Sequence, residues 1–223
     1  MTNLRRSRQA DLVDRRIFDS TITIIGCGAI GSFTALTLAK MGFHKMKVYD
    51  NDRVSEENIS NQFYRYMDIG MNKALALNTM LIDFENVPLT VNDCLWTKDI
   101  GINTDYVIMA VDSMAVRTEI YESIRRNVDV QGFIDGRMGG QQAEIYTVDL
   151  ARTEQKQFYT GYLWSDSEAS ELPCTQKAVM YNVLWIASGI ANSLRLMAEQ
   201  KPYHSAVLYD FENQAQTHIN IPN

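Results

Sequence analysis

Cysteine is scarce: Cys27, Cys94 and Cys174 are the only three in 223 residues. So few, without pattern and without a CxxC pair, argue against a disulfide framework. No apolar run approaches the ~20 residues of a membrane-spanning helix, and the opening MTNLRRSRQADL holds no apolar signal core. An excess of positive charge is missing too. The formal net charge is −6, which argues against a nucleic-acid partner. Repeats and low-complexity tracts are absent. What is left is the composition of an ordinary globular protein, expected in the cytoplasm, and a length that favours one domain over two.

The chain is organised around residues 20–62. An apolar run over 22–25 reads as a buried strand and leads into Gly26, Gly28 and Gly31, spaced GxGxxG. An apolar-periodic helix follows through Phe33, Leu36 and Leu38 to Met41, and Gly42 ends it. A second strand over 46–49 stops at Asp50. This is the context a nucleotide fingerprint needs. Gly26 allows the tight turn, Gly28 admits a phosphate close to the backbone, and Gly31 lets helix and strand approach. The helix N-terminus offers free N–H groups to an anion, and Asp50 would accept hydrogen bonds from ribose hydroxyls. Alone, the pattern reads as a nucleotide site and usually suggests an NAD-dependent oxidoreductase; a tight turn with no ligand is the lesser alternative.

A dehydrogenase has no need of the polar block that follows: Asp50-Asn51-Asp52-Arg53-Val54, Asn58-Ile59-Ser60-Asn61-Gln62, then Gly70 and Lys73. A triphosphate needs such amides and cations beyond the ribose. GxGxxG, then DxDxVxxxNxxxQ, then a lysine shortly after a glycine resembles the ThiF/MoeB family, adenylating enzymes related to ubiquitin-activating enzymes. The resemblance implies an α/β fold: a Rossmann-like parallel sheet continued by antiparallel strands, with helices on both faces. It spans residues 1–223 as one adenylation domain, with no rhodanese-like or ubiquitin-fold extension. It implies ATP, Mg²⁺ and a homodimer. The substrate would be the carboxyl terminus of a small ubiquitin-fold or sulfur-carrier protein, a peptide, or a small molecule such as a cyclic tRNA base. Many relatives hold zinc on two CxxC pairs; with none here, no zinc is expected.

The resemblance assigns Gly26, Gly28, Ile30, Gly31, Asp50, Asp52, Asn58, Gln62 and Lys73 to the nucleotide. Lys73 opens a helix over 71–86 whose Ala74, Leu75, Leu77, Met80 and Leu81 are read as facing the core. A lysine there opposes the helix dipole unless a phosphate relieves the conflict; a plain surface lysine is the alternative. Asn61 stands where relatives carry arginine. Either Arg53 or Arg65 replaces that charge, or the chain is a weak or inactive nucleotide-binding scaffold. Residues 1–19 read as an arm with a short amphipathic helix. Within it Arg5-Arg6-Ser7-Arg8-Gln9 resembles the family's RYxRQ except at the aromatic, which would make Arg8 a catalytic finger reaching the partner's ATP.

A third strand is expected over 88–96 and a buried fourth over 105–111, before Asp112-Ser113 and a helix from Met114 that carries Arg117. An acid just past a parallel strand lies where ligands bind, although Asp and Ser are also plain helix caps. The family pattern is DxxDNxxxR. Asp112 and Arg117 keep it, Met109 and Ser113 depart from it, and Asp112 is assigned to Mg²⁺ on the nucleotide. A strand over 130–135, a glycine turn over 136–141 and a strand over 143–148 follow. Residues 150–172 read as a loop that meets the partner, a crossover reaching residue 174. Pro173-Cys174-Thr175 opens a long helix to Met197, in which Ala187, Ser188, Gly189 and Ala191 suit close packing at a dimer interface. Cys174, at that helix start, has its thiol pKa lowered and is read equally as a nucleophile or a bystander. Cys27 and Cys94 are read as packing residues. A hairpin over 206–211 and 217–221 closes the sheet.

Overall fold

The computed structural model describes residues 4–9, 11–163 and 179–221. Its strands are β1 (Thr21–Ile25), β2 (Lys45–Tyr49), β3 (Thr90–Asn92), β4 (Tyr106–Met109), β5 (Gly132–Gly139), β6 (Gln142–Asp149), β7 (Ala206–Asp210) and β8 (Ala215–Ile219). They form one sheet in the order β3-β2-β1-β4-β5-β6-β7-β8. Pairing is parallel from β3 to β5 and antiparallel from β5 to β8. The helices are α1 (Ala29–Met41), α2 (Lys73–Glu85), α3 (Met114–Ile124), α4 (Thr153–Thr160) and α5 (Met180–Ala198).

Every residue of β4 is buried, as expected of a parallel strand covered on both faces. On one face Ile22 and Ile24 of β1 pack with Leu38 of α1, Leu77 and Leu81 of α2, and Ile186 and Ile190 of α5. On the other, Val107 and Met109 of β4 and Phe133 of β5 pack with Ile120 and Ile124 of α3 and Tyr159 of α4. The chain leaves β1 toward β2 and β3, then returns to place β4 on β1's other side. The carboxyl ends of β1 and β4 therefore flank a topological switch point, where open α/β sheets bind ligands. No helix among the described residues is long and apolar enough to cross a membrane.

Several elements depart from the sequence reading, each for a tertiary reason. The arm is not one amphipathic helix but two 3-10 segments, Leu4–Gln9 and Arg15–Asp19. Asp14 separates them: its side chain accepts from Arg16 N, and its own N–H goes to Glu199. The third strand shrinks to three residues at the sheet edge, where β2 is its single neighbour; Cys94 falls beyond it and is exposed, not a packing residue. The expected glycine turn is largely strand. Gly136 to Gly139 pair with Ile145 to Gln142, and the chain turns only at Gly140, with φ +58°. Residues 153–160 of the expected loop are α4, anchored by buried Tyr159. Leu75 on α2 is exposed. Three of the small residues of α5 serve packing within the chain: a Cβ on Gly189 would lie 2.3 Å from Ile145 Cδ1, and Ala187 and Ala191 are buried; Ser188 is exposed. Cys174 and the expected start of its helix lie outside the described residues.

The arm crosses the far ends of two helices. Gln9 Nε2 donates to Met41 O at 2.8 Å, at the C-terminus of α1. Asp14 N donates to Glu199 Oε1 at 2.7 Å, just past α5. Arg195 and Lys201 both reach Glu199 Oε2 at 2.8 Å. Burial alone would raise the Glu199 carboxyl, but hydrogen bonds from Lys201 and Asp14 N, with the Arg195 charge, hold it below its ordinary 4.5. A lowered folded-state value means that this stabilisation is complete above about pH 4.5 and is lost as pH falls through the depressed value. Limited proteolysis of the arm should accelerate on acidification below pH ~4.5, and Glu199→Gln should remove that pH dependence. An arm equally resistant in wild type across this range would refute the clamp.

Candidate active site

The glycine loop leaves β1 in a turn that side chains rarely follow: Gly26 has φ +94°, and a Cβ there would sit 2.5 Å from Ala110 O. Gly31 is tighter, with its virtual Cβ 1.9 Å from Gly26 O. Gly28 differs from both. Its φ of −71° suits any residue, and a Cβ would meet nothing within 4 Å. Of the three glycines only Gly28 faces open space; it is the N-cap of α1, where the first N–H groups of that helix have no intrahelical acceptor. This is the shape of an anion seat. Ile30 contributes only its backbone to it, since its side chain is buried against the Gly136 position.

Asp50 follows β2 directly and ties the loop down. Its Oδ2 accepts from Cys27 N at 2.6 Å and its Oδ1 from Asp52 N at 2.8 Å. Burial pushes this carboxyl up, against the two backbone hydrogen bonds and the Lys73 charge. A carboxylate offers about four acceptor sites, so two such bonds leave room for hydroxyl donors. Burial also pushes the Cys27 thiol well up, with Asp50 adding to the effect; this thiol is packing material.

Lys73 begins α2 and is buried, with its Nζ 2.9 Å from Oδ2 of exposed Asp52. Asn72 prepares that position. Its Oδ1 caps α2 at Leu75 N, and its Nδ2 donates to Asp50 O at 2.9 Å and Asp52 O at 3.2 Å. Tyr64 OH donates to Cys27 O at 2.5 Å and lies 3.3 Å from Lys73 O, joining the glycine loop to the start of α2. Sequence reasoning missed Asn72 and Tyr64. Asn72 could have been found as a helix cap beside Lys73; nothing local marks Tyr64.

Asn58 Oδ1 accepts from Ser55 N at 3.0 Å, and no described residue accepts from its Nδ2. Asn61 Oδ1 and Gln62 Oε1 are buried without a partner. Buried orphans of this kind call for an explanation, and an amide can turn over to present its NH₂ instead. Both arginines offered as a substitute for the charge missing at Asn61 already have partners. Arg65 is bound to both Asp68 and Asp83. Arg53, whose backbone bridges Asn72, donates to Gly70 O at 2.7 Å. Asp112 is exposed three residues past β4 and makes no ion pair among the described residues. Such a carboxylate suits a hard cation whose shell phosphate and water oxygens complete. Arg117 points elsewhere, into a buried pair with Asp135. Arg8 is exposed beside Gln9, at the end of α1 opposite the glycine loop.

The chain is similar to several known proteins. Over 146 aligned residues the chain is 30% identical to the tRNA threonylcarbamoyladenosine dehydratase of Escherichia coli (strain K12), covering 61% of this chain and 54% of that protein. It is 26% identical to the SUMO-activating enzyme subunit uba-2 of Caenorhabditis elegans over 176 residues, 72% of this chain and 30% of the relative. The chain thus spans about half of the first relative's length (54%) and less than a third of the second's (30%). Among solved structures, E. coli MccB with AMPCPP and MccA superposes at TM-score 0.79 with 15% identity, covering 100% of this chain and 72% of that one. The same protein with ATP gives 0.75 at 14% identity, covering 93% and 65%. These overlays establish a shared fold. The ThiF family model matches residues 3–214, from the arm to the last hairpin, and takes in the glycine loop, Asp50, Lys73 and Asp112: the chain belongs to the ThiF family.

Proposed function

We propose that this chain adenylates a carboxylate with ATP. The observation that carries the reading is the open seat at Gly28, at the switch point of the sheet, with Asp50 and Lys73 joined to the same loop. Phosphates rest on Gly28 and the first N–H groups of α1, the ribose on Asp50, and Lys73 neutralises phosphate charge. The Asn58 and Gln62 amides hold the phosphates in line. The substrate carboxylate attacks the α-phosphate, an acyl-adenylate forms and pyrophosphate leaves. Such a displacement needs alignment and charge neutralisation more than a covalent enzyme intermediate. Mg²⁺, for which Asp112 is the ligand in this reading, adds positive charge on the phosphates. The scheme needs no thiol, so Cys174 has no required part in it.

The cation missing at Asn61 comes, in this reading, from a second copy. The 13 residues of α1 separate Arg8 from its own glycine loop by about 20 Å, beyond the reach of an arginine side chain. A two-fold axis that turns one copy end over end brings Arg8 to the partner's site. Exposed Leu75, Ile82, Tyr181 and Leu184, on the helices of that same layer, offer apolar surface to cover. The functional unit is then a homodimer, with the chain as one adenylation domain.

The carboxylate we favour is the C-terminus of a small ubiquitin-fold or sulfur-carrier protein, or a peptide. Likeness to a SUMO-activating subunit and to MccB solved with MccA supports it. A modified tRNA base is the second reading, supported by likeness to the dehydratase and opposed by the net charge of −6. Thermal unfolding with Mg-ATP, with NADH and with neither tests the nucleotide. Mg-ATP at a hundredfold above its Kd should add about 2.7 kcal/mol. Stabilisation by NADH alone would overturn the reading in favour of an oxidoreductase, and silence from both would favour a scaffold.

A further inference from the structure

Asp135 is a fully buried carboxylate to which the adenylation scheme gives no task. Its register partner on β4 is Met109, the last residue of that strand, three residues before Asp112. Asp135 Oδ1 accepts from Arg117 Nε at 2.9 Å. Its Oδ2 accepts from Arg137 Nε at 2.7 Å and from Tyr159 OH at 2.9 Å. Arg117 Nη2 also reaches Gly136 O at 3.3 Å. One carboxylate thereby joins α3, β5 and α4. Burial would raise this carboxyl, but the two guanidiniums outweigh it and keep it ionised.

Stability alone explains such a cluster poorly, because apolar packing of similar volume often serves as well as a buried ion pair. What the pair adds is direction: a planar guanidinium with a fixed donor geometry sets both the rotation and the height of its helix. Arg117 lies one turn into α3, and its backbone N–H closes that turn on Ser113 O at 3.1 Å. Ser113 Oγ caps the turn at Val116 N. Asp112 is the residue before the cap. Buried Met114 anchors the first turn of α3, and Ile120, Tyr121 and Ile124 hold the later ones; Arg117 adds a polar fixing point one turn from Asp112.

We propose that Asp135 is a positioning residue that, through Arg117, holds the first turn of α3 so that Asp112 is presented at the switch point. The inference rests on the nucleotide reading above. Removing a group that orients a metal ligand typically lowers metal affinity roughly 10–100-fold.

The test compares ATP affinity in EDTA with affinity in saturating Mg²⁺, by calorimetry, and follows amide hydrogen exchange across residues 112–118 without nucleotide. Asp135→Asn should lower the Mg²⁺-dependent gain in affinity roughly 10-fold or more, leave Mg²⁺-free ATP affinity near wild type, and speed exchange in the first turn of α3. Tyr159→Phe removes a hydrogen bond from the same carboxylate but leaves both guanidiniums, and should retain the wild-type gain. An Asp135→Asn protein that unfolds cooperatively with wild-type gain and wild-type exchange overturns the inference. Should Asp135→Asn not fold, Arg117→Lys, which keeps a cation beside the carboxylate and loses the fork, decides by the same gain. Wild-type protein that binds ATP without any gain from Mg²⁺ overturns this inference alone. Wild-type protein that binds no ATP overturns the nucleotide reading and this inference together.

Discussion

Lys73→Met is expected to lower pyrophosphate exchange by roughly 10²–10³, the usual loss when one charged group that stabilises a transition state is removed. The fold should hardly notice. Methionine fills the space of the buried stem, and the lost ion pair has an exposed partner in Asp52, so it is worth at most about 1 kcal/mol. The position itself argues for a ligand. Lys73 is the first residue of α2, where the helix dipole disfavours a cation, and an exposed carboxylate across a water-facing contact offsets this only partly. A phosphate would remove the conflict. Wild-type exchange in a Lys73→Met protein would reduce Lys73 to a partner for Asp52.

The same variant tests the second copy. Arg8→Ala alone should be nearly as inactive, because its site loses the finger supplied by the partner. Mixed dimers of Lys73→Met with Arg8→Ala contain one site in which both groups are intact. Activity should return on mixing the two inactive proteins under conditions that let subunits exchange. Failure to recover, in samples shown to have exchanged, would place Arg8 outside the reaction.

The second large effect is a contrast within the glycine loop. Gly31→Ala puts a methyl 1.9 Å from Gly26 O and 3.3 Å from Ala110 Cβ. Backbone must move, and overpacking of this kind costs about 1–3 kcal/mol or more, visible as a lower urea midpoint at unchanged slope. Gly28→Ala meets no atom within 4 Å, at a φ of −71° that alanine accepts. The restricted unfolded chain would add about 0.4–1 kcal/mol, and alanine's poorer fit at an N-cap takes away a similar amount, so its stability should stay near wild type. Its stabilisation by Mg-ATP should largely vanish, because the methyl occupies the phosphate seat. A Gly28→Ala protein that retains the full nucleotide-induced shift would show that the open space is not where the phosphates rest.

Much of this was legible before any coordinates. The apolar run into GxGxxG, the acid ending β2 and the helix that Gly42 ends are local signals, and the structure places each where the pattern demands. Their rules act over a few residues: a left-handed φ, a helical period, a cap. The polar block from Asp50 to Gln62 and Lys73 was legible as a motif, although Asn72 and Tyr64, which hold it in shape, were not. Asn72 works through a cap and two carbonyls 22 and 20 residues upstream; Tyr64 works through a carbonyl across the loop.

What the tertiary structure decided lies beyond that range. Gly136 and Gly139 read as turn residues in the sequence, yet they belong to β5, because β6 pairs with them and α5 needs the space above Gly136. Gly189 of α5 read as suited to a dimer contact, and within the chain it admits Ile145. Arg117 read as part of a ligand motif, and a buried carboxylate on the neighbouring strand claims it. Arg8 read as a finger for another subunit; its attachment beside the C-terminus of α1 is what takes it out of reach of its own site. The sequence by itself determined the glycine loop after β1 and the chemical groups offered at the ends of the strands. Which of those groups stay free for a ligand was settled only by strand register and helix packing, since a side chain's partner depends on contacts distant in the chain.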